Sequence, residues 1–324
     1  MDILIPENIT GKALDDLTNI YSIERHTNLW KDAERLAESV SDAKAILIRN
    51  QTKIDKRIID QACSLRIIGR AGVGYDNIDV EYASKKGIVV CYTPDGNTIS
   101  TAELTIGLIL SLARKIPSGD KSTKAGNWDR LNHLGIELHG KTLGIVGFGK
   151  IGKAVAARAH SFGMRILVND KFLDGNNLTG VNYESNLLEE LLGQSDIVTV
   201  HLPLNSETKY LFNHKIFDLM KPGSFLINTS RGQVIAEDDL IFALESGKIK
   251  GAALDVRLKE PPAKSKLNDF DNVILTPHVG GFTIESQDRV VSSIAKDIDL
   301  VLSNKPAINY INFPVPKVPE LSND

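Results

Sequence analysis

Residues 142–170, TLGIVGFGKIGKAVAARAHSFGMRILVND, constrain the fold more than any other stretch. A short apolar run opens it, Gly147, Gly149 and Gly152 follow in GxGxxG spacing, a helical pattern comes next, and RILVND reads as a second strand closing on Asp170. Strand, glycine turn, helix and strand make one βαβ unit, which commits its surroundings to a parallel sheet with helices on its faces. The glycines permit a tight turn and close backbone approach to a pyrophosphate. That group would rest on the helix N-terminus, against the main chain of Lys150 and Ile151, where free N–H groups and the dipole favour an anion. Asp170 would accept hydrogen bonds from the adenosine ribose hydroxyls and repel a 2′-phosphate, so the expected cofactor is NAD, although Lys171 beside it acts in the other sense.

This unit lies in the middle of a chain of 324 residues, which is long enough for two domains. Before it, short apolar runs alternate with helical patterns: DILIP, GKALDDLTN, AILIRN, KRIIDQAC, RIIGRAG and GIVVCY. Such alternation indicates a parallel sheet covered by helices. After it the alternation resumes through DIVTVHLPL, SFLINTS, GAALDV and NVILTP, giving a larger sheet of about six strands. Between the two series, TISTAELTIGLILSLARKI is too densely apolar for a one-sided surface helix; Ser100 or Thr101 before Glu103 marks its start, and burial between domains or subunits is expected. A long helix over TIESQDRVVSSIAKDIDLVLSN follows the second series, and NFPVPKVPELSND, rich in proline and polar residues, is expected to be loosely held.

The expected fold class is α/β with two doubly wound parallel-sheet domains. A Rossmann NAD-binding domain over 99–289 is inserted into a flavodoxin-like substrate-binding domain built from 1–98 plus 290–312, with a loose tail over 313–324 and a cleft between the domains. A formal charge of −3 on a composition of 42% hydrophobic and 24% charged residues offers no basic field for nucleic acid or an anionic membrane. MDILIPENI lacks the features of an export signal, and no apolar run reaches the roughly 18 residues a membrane span needs. Cys63 and Cys91 stand in apolar surroundings and read as small buried hydrophobes in a reducing compartment. A cytoplasmic protein acting on a small molecule, with no nucleic acid, membrane or metal partner, is expected.

Three ionisable residues fall just beyond predicted strand ends of the cofactor domain, where open α/β sheets bind ligands: Arg231 after SFLINTS, Glu260 after GAALDV, and His278 after NVILTP. Singly, each has a plain explanation, as a solvated arginine, a loop carboxylate before two prolines, and a hydrogen-bonded loop histidine. Together with a nicotinamide cofactor they form a coherent set. Hydride transfer to a ketone builds negative charge on its oxygen, which needs a proton donor that titrates near neutral pH, and histidine is one. A carboxylate orients the imidazole and stabilises the imidazolium, and an arginine fork binds a 2-oxo acid's carboxylate.

GFGKIG, NTSRG, AALDVRLKEPP and TPHVGG, in this order and spacing, resemble the D-isomer-specific 2-hydroxyacid dehydrogenase family from about residue 45 to residue 300. The resemblance implies NAD-dependent interconversion of a 2-hydroxy and a 2-oxo acid, with Arg231 as substrate binder and carbonyl polariser, Glu260 as partner of the histidine, and His278 as acid and base. It also implies Thr229, Ser230 and Asp255 on the nicotinamide side, Arg231 and His278 beside them, and a main-chain contact from Leu202 near the adenosine. From the other domain, Val73 and Gly74 would hold the substrate carboxylate and Asn97 would lie at the domain junction. The family is usually dimeric or tetrameric through the cofactor domain, so the resemblance implies a homo-oligomer with TISTAELTIGLILSLARKI in that contact. GRAGVGYDNID and PDGNTISTAELTIGLILSLARKIP look most like members that act on a phosphorylated three-carbon acid, for which Arg49, Arg70 and Arg130 would supply cations. SRGQV in place of the usual ARGG, and HVGGFT in place of HLGAST, depart from that pattern. A reductase of glyoxylate, hydroxypyruvate or a sulfonated 2-oxo acid is the alternative, and an NAD-sensing corepressor on the same scaffold is a third reading.

Overall fold

In a computed structural model, which describes residues 1–173 and 178–318, the chain divides into two units, Met1–Asn97 with Thr283–Asp324, and Thr98–Phe282. The first begins as a plain alternation: β1 (Ile3–Ile5), α1 (Lys12–Leu17), β2 (Ile23–Arg25), α2 (Ala33–Val40), β3 (Ala45–Ile48), α3 (Lys56–Gln61), β4 (Ile67–Arg70), α4 (Val80–Lys85) and β5 (Val89–Cys91). All pairings are parallel and the order is β2-β1-β3-β4-β5, the expected flavodoxin-like arrangement. Strands ILI, AILI and VVC are buried along their whole length, because a parallel sheet is covered on both faces. Alternate residues part company: Ile3 and Ile5 join Leu14 on one face, and Leu4 joins Leu36, Val40 and Ile58 on the other. Asp32, Asp55 and Asp79 start α2, α3 and α4 by accepting backbone N–H bonds, each contributing about 1 kcal/mol.

The second unit runs α5 (Thr98–Ala113), α6 (Ile116–Lys124), β6 (Thr142–Val146), α7 (Lys150–Ser161), β7 (Arg165–Asn169), β8 (Glu184–Ser185), α8 (Leu188–Gln194), β9 (Ile197–Val200), α9 (His214–Leu219), β10 (Ser224–Asn228), α10 (Glu237–Glu245), β11 (Ile249–Leu254) and β12 (Val273–Leu275). Its sheet is parallel, in the order β12-β11-β10-β9-β6-β7-β8. It has seven strands where about six were expected, because β8 is two exposed polar residues that leave no hydrophobic signature. Strand order reverses between β6 and β9, so the glycine turn after β6 stands at the topological switch point where such sheets bind ligands. The dense helix α5 starts at Thr98, earlier than Ser100 or Thr101, and those two residues are buried in it. It packs within this unit against α7, β10 and β11, where Ile106, Ile109 and Leu112 join Leu143 and Ile145. Burial in its own unit's core accounts for these residues, while Ile99 stays half exposed and Leu104 and Leu110 are partly buried.

The chain then returns as α11 (Ile284–Leu302), capped where Thr283 accepts Ser286 N–H. The expected boundary at 289/290 moves to 282/283, because the helix is one piece: Ser286 and Arg289 of its first turns donate to Gly96 O, and Val291, Ile294 and Ile298 complete the core around Ile3 and Ile5. The expected loose tail is also corrected. Ile311 N–H donates to Val90 O, Tyr92 N–H to Asn309 O, Val90 N–H to the Asn312 side chain, and Lys317 N–H to Gly87 O, while Phe313 is buried. Proline and polar composition hid a segment held by backbone pairing along the edge of β5; residues 319–324 lie outside the described residues. Of the cysteines, Cys91 is buried in β5, which pushes its thiol up, but Cys63 is exposed, since it follows α3 rather than lying within it. Among the described residues no helix is long and apolar enough to cross a membrane.

Candidate active site

At Gly147 the backbone takes φ 95, and a Cβ there would stand 2.5 Å from His201 O. A Cβ on Gly152 would stand 2.2 Å from Gly147 O, so the turn closes onto the helix only without side chains. A Cβ on Gly149 would meet nothing within 4 Å, which leaves open space in front of the start of α7, and no side chain caps that helix. Lys150 and Ile151 form its first turn. Opposite, Asp170 accepts Phe148 N–H at 2.6 Å and Phe172 N–H at 2.8 Å, which fixes the carboxylate beside the turn. With Lys171, Ser185, Asn186 and Leu187 it lines an open pocket of about 540 Å³. An open helix N-terminus, a turn whose one side chain, Phe148, is turned into the core, and a carboxylate at the next strand end fit a dinucleotide. The charge of Lys171 is answered in place, since Glu207 binds its ammonium through both oxygens at 2.9 Å. Leu202 lies against the turn, its Cδ2 3.2 Å from where a Gly147 Cβ would be. His201 before it drew no attention in the sequence; burial lowers its imidazole to about 3, so the ring beside the turn is neutral.

Beyond β10, buried Asn228 organises the next loop. Its Oδ1 accepts Ser230 N–H and the Ser230 hydroxyl, and its Nδ2 donates to Arg231 O. Thr229 places its hydroxyl 3.0 Å from that of Thr105. Arg231 follows, with Nη1 donating to Ser230 O.

Beyond β11, Asp255 is 1% exposed and holds the loop after β12. Its Oδ1 accepts the Thr276 hydroxyl at 2.6 Å and Val279 N–H at 2.9 Å, its Oδ2 accepts Gly280 N–H at 2.8 Å, and its backbone oxygen accepts His278 N–H at 2.8 Å. Bracketed by these bonds, His278 takes a left-handed backbone with φ 55. Its Nδ1 lies 2.6 Å from Glu260 Oε2, and each side chain is about a third exposed. Glu260 Oε1 accepts Arg257 N–H. Burial pushes the Glu260 carboxyl up, but the His278 hydrogen bond and charge, the Arg257 amide and the Arg231 charge outweigh it and hold the group below the usual glutamate range. Glu260 and His278 thus come from separate strand ends into direct contact, with Arg231 acting on the same carboxylate. The cradling role of Asp255 and Asn228 was not visible in sequence, because one buried acid or amide gives no pattern.

In the first unit, Arg49 and Arg70 stand at the ends of neighbouring strands β3 and β4. Arg49 N–H donates to Glu7, its guanidinium binds Gln287, and burial lowers its pKa against the opposing charge of Glu7. Arg70 donates to Ala71 O and lies over Gly72, next to half-buried Val73 and Gly74. Asn97 is half-buried at the end of this unit. Glu7, also missed in the sequence, is buried and accepts the amides of Arg49, Gln51 and Thr52. Arg130 belongs to the second unit, on an exposed segment between Trp128 and Leu131, so the arginines proposed for a phosphate do not share one unit.

Residues 106–280 match the family described as D-isomer specific 2-hydroxyacid dehydrogenase, NAD binding domain. A D-3-phosphoglycerate dehydrogenase of Methanocaldococcus jannaschii is 42% identical over 96% of this chain and 59% of that protein, so the chain spans less than two thirds of that relative's length. A solved glyoxylate reductase from Paecilomyes thermophila superposes with a TM-score of 0.86 at 29% identity, covering 96% of this chain and 98% of that one. A D-lactate dehydrogenase from Aquifex aeolicus, complexed with NAD and lactic acid, superposes with a TM-score of 0.85 at 27% identity over 97% and 100% of the two chains.

Proposed function

Because the chain belongs to the D-isomer specific 2-hydroxyacid dehydrogenase family, NAD-dependent oxidoreductases, we propose that it interconverts 3-phosphoglycerate and 3-phosphohydroxypyruvate, a step in serine biosynthesis. The observation that carries the chemistry is the Glu260–His278 pair at 2.6 Å, at the strand ends of the cofactor-binding sheet. NADH, when bound on the Gly147–Gly152 turn with Asp170 at its ribose, supplies a hydride to the carbonyl carbon. His278 gives the proton that the carbonyl oxygen needs as charge develops there. With Nδ1 held by Glu260, Nε2 is the nitrogen left to carry that proton, and the ionised carboxylate stabilises the imidazolium before transfer. Arg231 binds the substrate carboxylate and polarises the carbonyl. Thr229 and Ser230 line the nicotinamide side, and Asp255 accepts from the carboxamide: its Oδ2 carries one hydrogen bond among the described residues, and a carboxylate oxygen accepts two.

The phosphorylated substrate is supported by the 42% identity to a D-3-phosphoglycerate dehydrogenase and by Arg49 and Arg70 on adjacent strand ends near Val73 and Gly74. A reductase of glyoxylate, hydroxypyruvate or a sulfonated analogue is the second reading, favoured by Gln233 in SRGQV and by the likeness to a glyoxylate reductase. Self-association is part of the same proposal, through the exposed apolar segment of Trp128, Leu131 and Leu134 in the second unit. Initial rates of NADH oxidation with 3-phosphohydroxypyruvate, hydroxypyruvate, glyoxylate, sulfopyruvate and 2-oxoglutarate test the assignment. The highest kcat/KM is expected for the phosphorylated acid, with loss on Arg49→Ala; preference for another acid moves the enzyme to the second reading, and no turnover despite tight NADH binding leaves a sensor.

A further inference from the structure

Arg231 and Glu260 leave different strands, so something must fix the distance between their loops. The structure bolts them together at three places. At the first, the backbones touch: a Cβ on Gly232 would stand 2.0 Å from Arg257 O. At the second, Gln233 Nε2 donates to Leu258 O at 2.9 Å. At the third, the Arg257 guanidinium reaches back to Glu237, the first residue of α10, with Nη2 3.0 Å from Oε1 and Nε 3.4 Å from Oε2, while Nη2 also donates to the Ser265 hydroxyl at 2.8 Å. The pair is 8% and 19% exposed, against a third or more for most other ion pairs of the described residues.

A buried ion pair is weak evidence for stability, since desolvation offsets much of the attraction, but its directional bonds fix geometry. Here they fix one point. The residue whose side chain is clamped on three bonds is the residue whose own N–H donates to Glu260 Oε1 at 3.0 Å. Glu260 Oε2 is in turn the atom that holds His278. The groups facing Glu260 are therefore the His278 ring, the Arg257 amide and, by its charge, Arg231; those facing the Arg257 guanidinium are Glu237 and Ser265.

We propose that Arg257 is a positioning residue for the reaction: anchored on Glu237 and Ser265, it locks the loop that presents Glu260 to His278 at a fixed setting relative to the Arg231 loop, with Gln233 as the second tether. This rests on the function proposed above for Glu260 and His278. Arg257 does not touch substrate and acts through Glu260 alone.

The test uses the whole protein and two readouts. The first is the downfield proton NMR signal of the short His278–Glu260 hydrogen bond, recorded without substrate; the second is kcat with the best 2-oxo acid of the panel. Arg257→Met is expected to broaden or lose the downfield signal and to lower kcat by about ten- to a hundredfold, the scale of a displacement near 1 Å, while leaving the NADH dissociation constant within twofold. Arg257→Lys, which keeps the charge but not the fork, is expected to recover part of both. Glu237→Gln removes the charge without emptying the site; it reports the same signal if Arg257→Met does not fold. A folded Arg257→Met or Glu237→Gln protein with the wild-type signal and wild-type kcat overturns the proposal, as does a fall in thermal stability alone. If wild type turns over none of the acids, the proposed function fails, and the signal still decides whether Arg257 positions the pair.

Discussion

Replacing Asp255 by asparagine tests whether the His278 loop is held as the structure indicates. The substitution keeps the shape and an acceptor oxygen facing the Thr276 hydroxyl and Val279 N–H, but sets an NH2 against the buried Gly280 N–H. One hydrogen bond to a charged acceptor is lost, worth about 1.5–3 kcal/mol, and an unsatisfied buried donor brings a penalty of about 1–3 kcal/mol that overlaps with it. The expected loss is about 2–3 kcal/mol. The left-handed backbone at His278 costs about 1–2 kcal/mol for a non-glycine residue, so the loss is large enough to let residues 276–280 relax to an ordinary conformation and carry the ring off Glu260. Urea unfolding of the cofactor-free protein should show a lower midpoint at unchanged slope. Turnover should fall at least about tenfold. An Asp255→Asn protein with the wild-type midpoint and kcat within twofold of wild type refutes the cradle. A change confined to the KM for NADH leaves Asp255 as a carboxamide ligand and no more.

His278→Ala should lower kcat by about 10²–10⁴-fold while NADH binding, followed by fluorescence, is kept; retained turnover removes its acid and base role. Glu207→Gln frees the ammonium of Lys171 for a 2′-phosphate, and since the pair is exposed and worth at most about 1 kcal/mol, the kcat/KM for NADPH should rise no more than about fivefold; no rise means the pair does not discriminate. The Glu260 carboxyl is held below its ordinary value of 4.5, so its contribution to stability is complete above that value and is lost as pH falls through the lowered one. Urea midpoints of wild type and Glu260→Gln should therefore converge on acidification, and parallel curves down to strong acid contradict the shift. Leu131→Asp should lower the mass of the proposed oligomer in light scattering; an unchanged oligomeric mass places the contact elsewhere, and a monomeric wild type removes the proposed self-association.

What could be read from the sequence depended on whether a feature leaves a periodic trace. The βαβ unit around Gly147, the buried strands of both sheets and the interruption of one domain by the other all do, because strand length, glycine spacing and apolar runs are local properties. Strand β8 does not, being two polar residues paired to β7. The tail leaves no trace either, because proline and asparagine carry the same composition whether solvated or paired to a sheet edge. Arg231, Glu260 and His278 stood out because strand ends are predictable and their chemistry is distinctive. What holds them did not: Asp255, Glu237 and Arg257 act across sequence gaps, through bonds that only the folded chain brings into register, and the local bonds of Asn228 to Ser230 and Arg231 leave no pattern in the sequence.

The late helix α11 sets an order on folding. Residues 98–282 form a continuous stretch whose two sheet faces are covered by their own helices. The sheet of the first unit is made earlier, yet Ile3, Ile5, Ile67 and Val89 need Ile294 and Ile298 of α11 to cover them. During synthesis those strands would wait, one oily face covered only in part by Leu14 and Leu17 of α1, while more than half of the chain is added, a condition that invites chaperone capture or aggregation. Pulsed hydrogen exchange during refolding should find β6 and β9 protected before β1 and β4. Simultaneous protection would mean that the two units acquire order together.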